Sequence, residues 1–129
     1  MSIEARIRSV LLPVSPGRVW SDAAPQSALT PPMSLFITYQ QAGGQGRRRI
    51  AGPDTLRRPR FQINVYGGQT RIAASDMMRA AEAAMHAATH QANGFVAVAL
   101  GDAVATIDDD TNTYGATQDF SVSWRPSIT

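Results

Sequence analysis

The stretch PRFQINVYGGQTRIAASDMMRAAEAAMHAA, residues 59–88, decides the fold. Phe61, Ile63 and Val65 alternate with Gln62, Asn64 and Tyr66, the period of two expected of a strand with one buried face. Gly67 and Gly68 are expected to break that strand. Beyond them Ala74, Met77, Met78, Ala81, Ala84, Met85 and Ala88 recur at helical spacing, while Arg71, Ser75, Arg79, Glu82 and His86 run down the opposite side. A helix with such a stripe of small apolar residues can lie across a sheet. The segment therefore predicts a scaffold, and it carries no constellation that points to catalysis.

The rest of the chain supplies further elements. Residues 2–12 predict a short amphipathic helix with Ile3, Ile7, Val10 and Leu11 on one face, Ser2 as its cap and Pro13 as its stop. Arg18, Val19 and Trp20 suit a short edge strand, and LFITYQ, residues 35–40, a better one. Gln91, Ala92, Asn93 and Gly94 stop the long helix. Residues 95–100 and 103–107 predict two strands around Gly101-Asp102 that could close as a hairpin. The last strand, 119–125, sets Phe120, Val122 and Trp124 against Ser121 and Ser123, and Pro126 ends it. Helix, strands, helix, strands with short connections predict one α+β domain over residues 1–129. Its largely antiparallel sheet has about four to five strands, with one long helix and a short N-terminal helix packed on it.

Composition narrows the chemistry. A chain of 129 residues can bury roughly two-thirds of its unfolded surface without a disulfide or metal. The absence of cysteine excludes disulfides, cysteine-based zinc sites and thiol catalysis. The net charge is only +2, but all twelve basic residues are arginine, which favours bidentate contacts with carboxylates and phosphates. No apolar run reaches membrane-spanning length, and Glu4 beside Arg6 and Arg8, with Pro13 after them, does not make a signal peptide. The expectation is a protein made in the cytoplasm with no membrane partner.

The strongest feature is residues 42–59, AGGQGRRRIAGPDTLRRP, read as a flexible loop. Arg47, Arg48, Arg49, Arg57, Arg58 and Arg60 place half of the positive charge in this neighbourhood, opposed only by Asp54. Loops of this length in a compact domain commonly have a function, here contact with DNA phosphates or an acidic protein surface. With no recognition helix or zinc finger, sequence-specific DNA readout is not expected. Asp108, Asp109 and Asp110, followed by Asn112, begin like a calcium loop. Yet Thr113 stands where glycine is needed, the final ligand would be Asp119 rather than Glu, and strands flank it. A solvated turn, or one that meets an arginine loop on a neighbouring subunit, fits better. His86 and His90 are four apart, but no glutamate base lies between them and no third histidine exists. There is no G-x-S-x-G elbow, no Walker loop and no G-x-G-x-x-G. No catalytic residue, cofactor or metal is expected.

Three ordered segments resemble a known family. RVWSDAAPQ, residues 18–26, is followed by LFITYQ; RPRFQINVYGG runs into the alanine-rich helix; and YGATQDFSVSW spans residues 114–124. In order, spacing and total length they resemble the small tail completion, or tail terminator, proteins of long-tailed bacteriophages and phage-like particles. The resemblance implies a non-catalytic virion protein of the tail and neck, assembled in the host cytoplasm. It implies a homo-oligomeric ring of six copies on the head-proximal end of the tail tube, which stops tube growth and presents a surface to the head-tail connector. The implied partners are the tail tube protein and the connector, with DNA passing through the channel without sequence-specific binding. Loop contacts to tube, neck or neighbouring subunit then fall to the six arginines and to Asp108, Asp109 and Asp110. The alternative is a nucleic-acid-binding module that uses the arginine loop.

Overall fold

The computed structural model describes residues 2–25, 34–44, 58–90, 94–108 and 112–124. Among them the order is α1 (Ile3–Leu11), β1 (Val19–Ser21), β2 (Phe36–Gly44), β3 (Pro59–Gly68), α2 (Arg71–Ala87) with a 3-10 turn at Ala88–His90, β4 (Val96–Ala99), β5 (Val104–Asp108) and β6 (Thr113–Ser123). The architecture is α+β, as expected.

Both helices start on capping hydroxyls. The Ser2 hydroxyl accepts from the Ala5 N–H at 3.2 Å, and the Thr70 hydroxyl from the Ala73 N–H at 3.1 Å. Ile3, Ile7, Val10 and Leu11 are buried together, as their spacing predicts. In α2 the buried residues are Ala74, Met78, Ala81 and Met85, followed by Ala88 in the turn, while Met77 and Ala84 are partly buried at the margin. They cover Phe61, Ile63, Val65, Phe120 and Val122, which point from the sheet into the same core. Arg6 is also buried, with its guanidinium 5.0 Å from the Trp124 ring centroid.

Strand order is β1-β2-β3-β6-β4, with β5 also on β6. β1 runs parallel to β2, and every other pairing is antiparallel. Three expectations need correction. First, Gly67 and Gly68 do not break β3; the strand runs through them with a shift of register between Val65 and Gly68. Gly67 has φ +81°, and a Cβ there would lie 2.4 Å from the Ser34 carbonyl oxygen. Glycine lets the strand bulge while Ser34, just before β2, passes close beside it.

Second, β4 and β5 do not form a hairpin with each other. Both lie antiparallel on β6: β4 opposite residues 120–123 and β5 opposite residues 113–117. They are two halves of one strand position, interrupted at residues 100–103. The Leu100 N–H donates to the Asp119 carbonyl at 2.8 Å, and Gln118 Nε2 donates to the Gly101 carbonyl at 2.8 Å, so the interruption stays tied to β6. Third, the sheet therefore has six strands among the described residues, not four to five. It is β5 that pairs with the strand next to it in sequence, β6.

The 42–59 loop is shorter than its composition implies. Residues 42–44 extend β2, and Pro59 opens β3 opposite Gly44. Proline is tolerated there because it is the first residue of its strand.

Candidate functional site

The two faces of the sheet differ. One is covered by α1 and α2. The other presents Phe36, Thr38 and Gln40 from β2, Arg60, Gln62, Asn64 and Tyr66 from β3, and Thr113, Gly115, Thr117 and Asp119 from β6, placed by alternation and by the ladder register. No described helix packs on it.

Register aligns these side chains into rows. Thr38, Asn64 and Thr117 stand side by side. Asn64 Nδ2 donates to Thr38 Oγ1 at 3.4 Å, and Thr117 Oγ1 donates to Asn64 Oδ1 at 2.7 Å. In the next row Gln40 Nε2 donates to Gln62 Oε1 at 3.1 Å, and Gln62 Nε2 reaches Asp119 Oδ1 at 3.5 Å. Arg60 closes that row with an ion pair to Asp119. Side chains from three strands thus cross-link the face, and satisfying them internally lets Thr38 and Asn64 be buried without loss.

The end of the face beyond these rows is aromatic. Trp20 and Phe36 meet edge to face at 5.7 Å, and Phe36 and Tyr66 lie 5.4 Å apart. The Arg18 guanidinium sits 5.7 Å from the Trp20 ring and 5.9 Å from the Phe36 ring, while its Nε donates to the Leu35 carbonyl at 3.1 Å. Here a cleft of about 720 Å³ opens between the segment after β1 and the β5–β6 pair. Phe36, Tyr66, Gly67 and Gly115 line it together with Asp22 and Asp108. Gly115 in that lining lets β6 lie close to β3, since a Cβ there would lie 2.2 Å from the Val65 carbonyl oxygen and 2.9 Å from Thr106 Oγ1.

The sheet's edge is the second feature. Every residue of β5 is exposed, and Val96, Val98, Leu100, Val104 and Ile107 place apolar surface along the β4–β5 edge. Among the described strands nothing pairs with its outer side. An unpaired edge of this kind is a template for contact with another chain.

The expected site residues divide accordingly. Arg60 is on β3, Arg58 precedes it and is exposed, and Asp108 ends β5. Arg47, Arg48, Arg49, Arg57, Asp109 and Asp110 lie outside the described residues. The structure does not bring Arg60 to Asp108: Arg60 pairs with Ser121 and Asp108 with Thr113, at opposite ends of β6. Asp119, considered above as a twelfth calcium ligand, is the partner of Arg60. No group of three His, Asp or Glu able to hold a metal occurs among the described residues. His86 lies 3.6 Å from Glu82 and edge-on to Phe120. No described helix is long and apolar enough to cross a membrane.

Sequence reading missed the Thr38–Asn64–Thr117 row and the aromatic cleft. The only signal was polar residues at period two on three strands, which reads equally as a solvated face until register aligns them.

The fold is a layered α+β domain with one sheet face left to a polar ladder, an aromatic cleft and an apolar edge. The model of the tail completion protein gp17 family matches residues 5–124. The chain belongs to that family and is a tail-completion structural protein of the virion. The resemblance read from residues 18–26, 35–40, 58–68 and 114–124 is thereby borne out. In fold the chain is similar to a chain of the virion of a native gene transfer agent particle, with a TM-score of 0.53 and 15% identity over 97% of this chain and 96% of that one. No curated protein matches.

Proposed function

We propose that this chain forms a ring of six copies on the head-proximal end of the tail tube, ends tube growth and joins the tail to the head connector, without a catalytic role. The observation that carries this reading is the polarity of the sheet. Arg58 stands exposed just before β3, and Asp108 stands at the far end of β5. A cyclic ring needs two different patches on each subunit, one meeting the other on the next copy. Opposite charge at opposite ends, beside an unpaired strand edge, supplies such a pair.

In this reading Arg47, Arg48, Arg49, Arg57 and Arg58 meet acidic groups on the neighbouring subunit, the tube or the neck, with Asp108, Asp109 and Asp110 as their counterparts. Arg60 holds Asp119 and so stiffens the strand from which the basic segment leaves. DNA passes through the channel without sequence-specific contact. The test is particle assembly with Arg47, Arg48 and Arg49 all changed to Glu. Heads and tails remain unjoined while the purified variant keeps its fold, and electron microscopy of normal particles shows a six-fold ring at the neck. Normal infectious particles from the variant would refute the role of the arginines, and a neck without the ring would refute the assembly.

A further inference from the structure

A cleft opens at the aromatic end of the open face. It holds about 720 Å³, with Gly67 and Gly115 in its lining. Phe36 and Tyr66 lie on its floor 5.4 Å apart; Phe36 is buried against Trp20 and Arg18, and Tyr66, 41% exposed, is the ring an incoming group can reach. Asp22 stands on one wall, and Thr106, Ile107 and Asp108 on the other. An exposed tyrosine ring between two carboxylates matches one side chain in particular. A guanidinium is planar, stacks on aromatic rings and takes carboxylates at its edge. The same carboxylates repel a phosphate backbone, so a nucleic acid is the wrong occupant.

We propose that this cleft receives the arginine-rich segment, residues 45–58, of a second copy of the chain. The inference rests on the ring assembly above and assigns its acceptor site. Charge complementarity argues for the segment: it carries Arg47, Arg48, Arg49, Arg57 and Arg58 against Asp54. Geometry argues for a second copy. The segment leaves β2 at Gly44 and rejoins β3 at Pro59, which pair with each other. From Gly44 back to Phe36, eight residues of strand span roughly 26 Å. Asp108 lies at that far end and three strands across, so it stands about 30 Å from Gly44. Arg49 is five residues beyond Gly44, a reach of at most roughly 18 Å, to which an extended side chain adds about 7 Å. Arg57 and Arg58 are tied closer still to Pro59. A chain's own cluster thus falls short of its own Asp108, so a second copy must supply it. The contact is heterologous, as a ring requires.

Because the chain has no cysteine, disulfide mapping is unambiguous. Particles are assembled with Ile50→Cys in the segment and Thr106→Cys, an exposed position lining the cleft, in the same chain. Mild oxidation should give a ladder of disulfide-linked multimers on a non-reducing gel. Adding Asp22→Asn and Asp108→Asn should cut the linked yield about tenfold. Pairing Ile50→Cys with Ala80→Cys, on the exposed side of α2, should give no ladder. A monomer-sized band alone, or a ladder indifferent to the two carboxylates, in particles whose necks carry the six-fold ring would overturn the inference and leave the assembly standing. A neck without the ring would overturn both. Should the double-cysteine chain yield no particles, charge reversal decides. Asp108→Arg should reduce head-tail joining about tenfold, and adding Arg47→Asp, Arg48→Asp and Arg49→Asp should restore it. Failure to restore joining would overturn the proposed pairing.

Discussion

Replacing Gly67 by alanine separates two costs that a strand glycine can carry. The first is conformational. At φ +81° an L-residue sits in the left-handed region at a cost of roughly 1–2 kcal/mol. The second is steric. The new Cβ would lie 2.4 Å from the Ser34 carbonyl oxygen and 3.0 Å from its carbon, about an ångström inside ordinary contact. The obstacle is backbone, and it cannot swing aside freely: Arg18 donates to the carbonyls of Ser34 and Leu35 at 3.3 and 3.1 Å. Forcing an atom into such a place costs roughly 1–3 kcal/mol. Gly101 supplies the control. Its φ is +83°, yet nothing lies within 4 Å of its Cβ position. Alanine also lowers unfolded-state entropy by about the same amount at both positions. Gly101→Ala should therefore cost about 1 kcal/mol and Gly67→Ala about 2–4 kcal/mol. Urea unfolding followed by tryptophan fluorescence measures both, and the expected gap corresponds to a difference in Tm of roughly 4–12 °C. Equal midpoints would refute the account of β3 as a strand bulged against the β2 entry.

Three further outcomes follow from the same geometry. Asn64→Ala leaves the buried Thr38 without its side-chain donor and removes the acceptor of Thr117, so urea unfolding should show a loss of about 1–3 kcal/mol. The Arg60–Asp119 pair is half exposed on the arginine side, so a double-mutant cycle should return less than about 1 kcal/mol of coupling, falling further at 1 M salt. Burial raises the Tyr39 phenol above its ordinary value of 10.0, opposed by Arg8 and Ser21 and reinforced by Glu4 and Asp22. The unfolded chain then ionises first. This contribution is complete below pH 10.0 and is lost as pH climbs through the folded value. With no lysine or cysteine to titrate in that window, Tyr39→Phe should flatten the fall in urea midpoint between pH 9.5 and 11.5 relative to the parent chain. An equal fall in both would count against Tyr39 as its source.

What the sequence determined by itself is local. Periods of two and 3.6 reside in neighbouring residues, so Phe61, Ile63 and Val65 on one face, the Ala74 to Ala88 stripe and the Ser2 cap are legible without any partner. The ordered set of those elements was also enough to reveal the family. The tertiary structure alone decided what depends on register. Residues 95–107 look like a hairpin because two apolar runs flank Gly101-Asp102, but β6 is long enough to pair with both halves, and Gln118 holds the interruption against it. Gly67 looks like a strand stop until Ser34 is seen beside it. Thr38, Asn64 and Thr117 look like three solvated positions until the ladders set them in one row. Arg6 is buried against Trp124, from the other end of the chain, which no local pattern around residue 6 signals. Pairing across a sheet joins residues far apart in sequence, and a shift of one residue would turn each side chain to the other face. The cleft follows from that register alone, because its two carboxylates, Asp22 and Asp108, lie far apart in the chain and meet at one end of the sheet.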